Sequence, residues 1–431
     1  MSNVKLSMKD WLLKIENQHE KNIDLNLERI KEVAYRASIK IDSSIITVGG
    51  TNGKGSTCAI LESIFIKGGY QVGLYSSPHL VTFNERARIN GKCLSDKELI
   101  EGFEKIENSR GIIKLTYFEF TTLAIAYHFS KLDLDLVILE VGMGGRLDAV
   151  NIFEPDLSIV TSIDLDHTNY LGNSREEIAL EKAGIFRKGK VAICSDPCPP
   201  KSLKLYAENI GTDLWIIGRE FGYQSERNQW NYIGKFKNRN ALCYPSLRGV
   251  NQLLNASAAL AALEVLHKKF PLSAQDIKYG LAQIDLKGRF QVLAGFPTVI
   301  LDVAHNTHSA AALSNNLENM GFYPYTFGIF GIMSDKDISK VIDKVKENID
   351  YWYLCKMPSV RSASYELLLK FLLKAGISDN TELNNKNTIQ CYDSVKKAFD
   401  NARFEAGEND RIVVFGSFEI VTNVINLYKK F

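Results

Sequence analysis

SIITVGGTNGKGST, residues 44–57, is the most informative stretch of the chain. Ile45 to Val48 are all β-branched and, apart from Thr47, apolar, so they read as a buried strand. Gly49 to Gly55 supply four glycines, and Ser56 opens a helix-like run that ends near Gly68. Strand, glycine turn and helix in that order aim backbone N–H groups and a helix amino terminus at one anion. Lys54 stands where its ammonium would reach the outer phosphates of a nucleotide. The spacing departs from the common phosphate loop, because three residues separate Gly49 from Gly53 and Gly55 comes between Lys54 and Ser56.

The same strand-then-helix rhythm runs outward from there, through YQVGLYSS (70–77), LDLVILEVG (134–142) and LSIVTSI (157–163). Continuous rather than alternating apolar runs imply strands covered on both faces, hence a mostly parallel sheet. Residues 219–249 are polar, aromatic and glycine-rich without helical period, which suits a few antiparallel strands. Residues 251–270 read as an alanine- and leucine-rich helix. The rhythm restarts after LKGRFQ (286–291), in PTVILDVAHN (297–306), YTFGIFG (325–331), DYWYLCK (350–356) and RIVVFGSFE (411–419). The expected fold is α/β: a P-loop nucleotide-binding domain with a mostly parallel sheet over residues 1–287, then a smaller Rossmann-like α/β domain over 288–431, divided at Gly288.

Composition sets the outer limits. A chain of 431 residues exceeds one usual hydrophobic core, which agrees with two domains. A net charge of +2 from 52 basic and 50 acidic side chains gives no long-range field to favour nucleic acid or membrane. The seven cysteines are scattered and odd in number, which argues for a reducing compartment. Cys194 and Cys198 have no second pair to complete a zinc site and read as ordinary thiols. The amino-terminal residues carry charges through any apolar run, and no stretch reaches the roughly 20 apolar residues of a membrane span. A cytoplasmic protein is expected, and the lack of a heptad pattern or exposed apolar stripe suggests a monomer.

GGTNGKGST resembles the variant loop of the folylpolyglutamate synthase and dihydrofolate synthase family, which is related to the Mur peptide ligases. The resemblance continues in order through IDLNLERI (23–30), LYSSPHLVTFNERARING (74–91), TYFEFTTLAIAY (116–127), LEVGMGGRLDAVN (139–151), SIDLDHTNYLG (162–172), EKAGIFR (181–187), LNASAAL (254–260), KGRFQ (287–291), LDVAHN (301–306), MSDKD (333–337) and FGSFE (415–419). The chain departs from the family pattern at Asn26, where glycine is common, Thr307, where proline is usual, and Ser334, where histidine is frequent.

This resemblance implies a site. ATP would be held by Thr51, Asn52, Gly53, Lys54, Gly55 and Ser56, with Asn255, Arg289 and Asp302. One or two Mg²⁺ ions would be held by Ser77, Glu140 and His167; Mg²⁺ suits hard oxygen donors and keeps several waters while bridging phosphates. Lys54, His167 and Lys182 would be the catalytic residues, with Lys182 carbamylated as in Mur relatives. A pterin-bearing acceptor would lie against Ile23, Asp24 and Leu25, against Tyr117, Phe118 and Glu119, and against Leu147, Asp148 and Ala149. Phe118 can stack on a flat heteroaromatic ring, and Asp24 and Asp148 can accept from ring N–H groups. His305 and Ser417 are the candidates for the incoming glutamate.

The implied activity is ATP-dependent ligation of L-glutamate to 7,8-dihydropteroate and to folates through an acyl phosphate. Folylpolyglutamate synthesis alone is one alternative, and a P-loop switch without ligase chemistry is another. The expected partners are these small molecules, with neither nucleic acid nor membrane.

Overall fold

Strands Ser44–Gly49 (β1), Val72–Tyr75 (β2), Ala87–Ile89 (β3), Lys92–Cys93 (β4), Leu136–Glu140 (β5), Leu157–Val160 (β6), Val191–Cys194 (β7) and Asp213–Ile216 (β8) form one sheet, in the order β4-β3-β2-β5-β1-β6-β7-β8. The computed structural model describes residues 6–21, 23–377 and 388–428. From β2 to β8 all neighbours run parallel, while β3 and β4 add an antiparallel edge. Every residue of β1, β2, β5 and β6 is buried, as expected of strands covered on both faces. The antiparallel edge has no counterpart in the sequence reading, because strands of three and two residues are too short to show a period.

The polar segment after β8 forms Gly222–Ser225 (β9), Trp230–Ile233 (β10) and Arg239–Leu242 (β11), a three-stranded antiparallel sheet. It is tied to the helix Gln252–Leu266 through buried Glu264, whose carboxylate accepts from the Tyr232 hydroxyl at 2.9 Å and from the backbone N–H groups of Phe236 and Lys237. A buried carboxylate needs such donors to offset its desolvation.

The chain divides into two compact units, one of Met1–Ser246 with Leu253–Ile284 and the other of Leu247–Gln252 with Asp285–Phe431. In the second, Gln291–Leu293 (β12), Thr298–Leu301 (β13), Thr326–Phe330 (β14), Tyr351–Cys355 (β15), Ile389–Tyr392 (β16) and Arg411–Phe415 (β17) form a sheet in the order β12-β13-β17-β14-β15-β16. Only β12 runs antiparallel to its neighbour. Its own core includes Ile300, Phe330, Trp352, Val413 and Phe415. Both units are therefore α/β with mostly parallel sheets. Among the described residues, no helix is long and apolar enough to cross a membrane.

Candidate active site

In the first sheet β1 lies between β5 and β6, with Val48 opposite Glu140 and Gly49 opposite Val160. The carboxyl ends of these strands therefore emerge side by side, the usual place for a ligand in an open α/β sheet. From β1 the chain turns through Gly50 to Gly53 into the helix Lys54–Lys67. The loop is held from below by the chain after β6. Thr51 N–H donates to the Ser162 carbonyl at 2.6 Å, Asn52 N–H donates to Ser162 Oγ at 3.0 Å, and Thr161 Oγ1 donates to the Asn52 carbonyl at 2.7 Å.

Two glycines are required by this fit. Gly50 and Gly53 have φ of 139° and 93°, and a Cβ would overlap Thr161 Oγ1 at the first and Asn255 Oδ1 at the second. Asn255, buried on the helix Gln252–Leu266, thus lies directly against the loop that the sequence assigns to phosphates. Lys54 Nζ donates to the carbonyls of Gly50 at 2.8 Å and Thr51 at 3.0 Å, so its ammonium folds over the loop. Ser56 is buried in the first turn of the helix, and Gly55 faces Glu140.

Beside this loop is a small cleft. Its walls are Gly50, Thr51 and Lys54, the turn Gly142–Gly144 after β5, Asp166 and His167 from the chain following β6, and Lys182. His167 takes a left-handed conformation (φ 51°) as it caps a short helix, and its ring stays exposed. Lys182 belongs to the helix Arg175–Ala183, set by a capping box between Ser174 and Glu177. It is 3 % exposed and forms no ion pair among the described residues. Burial, reinforced by the charge of Lys54 and opposed by Asp166 and Asp148, pulls its pKa down from 10.5 to about 7. Asp166 is a cleft residue that sequence reading missed, although it directly precedes the His167 it singled out.

Glu140 is buried at the end of β5, and Ser77 N–H donates to its Oε2 at 3.1 Å. Its oxygens lie 3.6 and 3.8 Å from where a Cβ on Gly55 would stand, so the glycine leaves space between the carboxylate and the phosphate loop. Among the described residues no group of three or more His, Cys, Asp or Glu side chains gathers into a metal cage. One carboxylate, a hydroxyl and an imidazole beside a phosphate loop are a donor set that fits Mg²⁺, which takes its other ligands from phosphate and water.

The three acceptor segments fall close together. Phe118 is half-buried on the helix Tyr117–Ser130, its ring against Gly142 and 6.0 Å from the ring of Tyr75. Tyr117 lies near the Arg86 guanidinium, 5.7 Å from its ring. Arg29 bridges Asp24 to Glu119, which brings the chain of Ile23, Asp24 and Leu25 to the start of that helix. Asp148 caps the 3₁₀ turn Ala149–Ile152. Its two carboxylate oxygens already accept from Met143 N–H (2.8 Å) and Val150 N–H (3.1 Å), and burial pushes its pKa up to about 6. These bonds let it shape the Gly142–Leu147 turn, and each oxygen keeps a second lone pair with which to accept. Leu147 is half-buried and Ala149 is buried beside it.

In the second unit Arg289, Asp302, His305 and Ser417 gather at the adjacent carboxyl ends of β13 and β17. The Asp302 carboxylate accepts from Phe290 N–H at 2.9 Å and Ala304 N–H at 2.8 Å, and burial raises its pKa to about 6 against the pull of Arg289. The Arg289 guanidinium lies 5.1 Å from the Phe418 ring and the His305 ring lies 6.1 Å from it. Ser417 is buried, its hydroxyl placed between Met357 Sδ and Ile420 N–H.

A glycine-rich phosphate cradle at the carboxyl ends of a parallel sheet, followed by a second α/β unit, defines a two-part nucleotide-dependent enzyme of the P-loop kind. Family models agree: the Mur ligase middle domain matches residues 48–263, and the Mur ligase glutamate ligase domain matches 288–418. The chain is 40% identical over 418 residues to the dihydrofolate synthase/folylpolyglutamate synthase of Escherichia coli, covering 97% of this chain and 94% of that one. Among solved structures it resembles E. coli FolC in complex with DHPP and ADP, with a TM-score of 0.92, 39% identity, and coverage of 99% and 98%. It also resembles a bifunctional folylpolyglutamate synthase/dihydrofolate synthase from Yersinia pestis complexed with AMPPNP and Mn ion, with a TM-score of 0.89, 39% identity, and both chains covered in full. The chain belongs to the Mur ligase family, in its dihydrofolate synthase/folylpolyglutamate synthase branch.

Proposed function

We propose that this enzyme uses ATP to join L-glutamate to 7,8-dihydropteroate, and to add further glutamates to folates, as a monomer in the cytoplasm. The observation that carries the reading is the meeting of Lys54, His167 and Lys182 in one cleft over the phosphate loop, next to the Phe118 face. Residues 1–287 serve as the ATP-binding part and 288–431 as the glutamate-ligase part.

A carboxylate resists attack by an amine because its charge opposes the nucleophile and its oxygen is a poor leaving group. The acceptor carboxylate therefore takes the γ-phosphoryl group of ATP, giving an acyl phosphate and ADP. The amine of glutamate then attacks the acyl carbon, phosphate leaves, and the amine gives up a proton. The ammonium of Lys54, turned from the Gly50 and Thr51 carbonyls onto the nucleotide, offsets charge on the transferring group. Gly53 to Ser56 present backbone N–H groups to the phosphates, while Thr51 and Asn52, whose own N–H groups are taken by Ser162, brace the loop. Asn255 is a further nucleotide contact, and Arg289 and Asp302 are the nucleotide contacts assigned to residues 288–431. Ser77, Glu140 and His167 would hold Mg²⁺, which would supply charge neutralisation of the phosphates when bound. Lys182, its pKa lowered to about 7, is in part an uncharged amine at neutral pH and in that form can take up carbon dioxide as a carbamate, releasing a proton. His305 and Ser417 receive the incoming glutamate, and Phe118 stacks on the pterin of the acceptor.

The test is ADP release by the purified enzyme, dependent on L-glutamate, with dihydropteroate and separately with tetrahydrofolate as acceptor. Turnover with both is expected. Turnover with tetrahydrofolate alone removes the dihydrofolate synthase activity, and ATP hydrolysis indifferent to glutamate and pterin removes the ligase reading altogether.

A further inference from the structure

Arg29, which has no part in the scheme above, joins two of the segments assigned to the acceptor. It stands in the first turn of the helix Glu28–Arg36 with its side chain 17 % exposed. Nη1 donates to Asp24 Oδ2 at 2.9 Å, Nη2 donates to the Asp24 carbonyl at 2.5 Å, and Nε donates to Glu119 Oε2 at 2.9 Å. Residues 23–25 lie in no helix or strand. Among the described residues, the hydrogen bonds that tie them to a helix or strand all end on this guanidinium. The His19 ring also stands near Asp24, its Nε2 3.7 Å from the same Oδ2.

The far end of the bridge is firmly built. Glu119 closes the capping box of the helix Tyr117–Ser130, with Oε2 accepting from Thr116 N–H at 2.8 Å and Thr116 Oγ1 at 2.9 Å besides Arg29. Three donors thus converge on one carboxylate oxygen, while its twin Oε1 is buried without a hydrogen-bond partner among the described residues. Phe118, between Tyr117 and Glu119, lies on the same first turn.

We propose that Arg29 is a positioning residue for the acceptor: its planar fork fastens the Ile23–Leu25 chain to the start of the Tyr117–Ser130 helix and so keeps the pterin pocket built before the ligand enters. The inference rests on the reading of those two segments as the acceptor site. An irregular segment ordered in advance spares the ligand the entropy of ordering it, which is felt in binding rather than in the chemical step. Lysine cannot replace the fork, because an ammonium is a point charge and the three acceptors here require N–H groups fixed in one plane.

The test is steady-state kinetics of Arg29→Gln, Arg29→Lys and Phe118→Ala, with dihydropteroate, ATP and glutamate varied in turn. For Arg29→Gln the KM for dihydropteroate is expected to rise about tenfold or more, with kcat and the KM values for ATP and glutamate within about twofold of wild type. Arg29→Lys is expected to fall between, at about threefold. An unchanged acceptor KM in a folded Arg29→Gln variant overturns the proposal. So does a loss shared equally by kcat and all three KM values, the mark of a merely structural residue. If Arg29→Gln does not fold, Arg29→Lys decides by the same readout, a wild-type acceptor KM overturning the proposal. Phe118→Ala reads the pocket independently of Arg29: if it leaves the acceptor KM unmoved, the assignment of the acceptor site falls and the inference falls with it. If it moves that KM and Arg29→Gln does not, the inference alone falls.

Discussion

Lys182 shows how far one side chain's chemistry depends on its surroundings. In REEIALEKAG it is one charged residue among several, yet it is buried on the face turned toward the cleft. Burial penalises the ammonium, so the folded chain releases this proton near pH 7 while an unfolded lysine holds it to about 10.5. Between these values the unfolded state carries the extra proton, so stability should rise with pH; the penalty is fully present below about 7 and gone above about 10.5. In carbon dioxide-free buffer, Tm is therefore expected to climb between neutral pH and pH 9, and Lys182→Met should flatten that climb. Adding bicarbonate should increase the native mass of the wild type by one carbon dioxide and leave Lys182→Met unchanged. A wild-type Tm that is flat over this range would show that the amine is solvated.

The element that carries the phosphate loop is short but tightly specified. β1 supplies rigidity through complete burial, and the turn that follows it has backbone conformations open to glycine at Gly50 and Gly53. Both glycines also touch other parts of the first unit, Thr161 after β6 and Asn255 on the Gln252–Leu266 helix. Gly53→Ala therefore meets a strained φ and a clash together, and is expected to cost about 1–3 kcal/mol of stability. Its weakening of binding to a fluorescent ATP analogue should exceed any effect on dihydropteroate binding. Wild-type nucleotide affinity in this variant would show that the turn can relax without losing its function.

On the scale of the whole chain, the second unit has its own six-stranded sheet and its own buried cluster from Phe290 to Phe415. A unit with a core of this kind should fold without the other. Residues 285–431 expressed alone are expected to unfold cooperatively in urea, with coincident transitions by circular dichroism and tryptophan fluorescence, the latter reporting buried Trp352. A gradual, non-cooperative loss of signal would show that its core is completed from elsewhere.

Much of this architecture was legible along the chain because the determinants are local. Continuous apolar runs such as LVILE and RIVVF mark strands buried on both faces, and GGTNGKGST sets its own turn by where glycine is obligatory. Co-linear motifs then pointed to a ligase of the folate branch. What could not be read were encounters between distant residues: the burial that shifts Lys182, Asp166 lining its cleft, Asp148 turned inward onto Met143 and Val150, and Arg29 spanning 90 positions to Glu119. The physical reason is the same in each case. A side chain's period and neighbours in sequence fix which local structure it joins, whereas its desolvation and its partners depend on which other elements pack against it, and those are set only when the sheet and its helices close together.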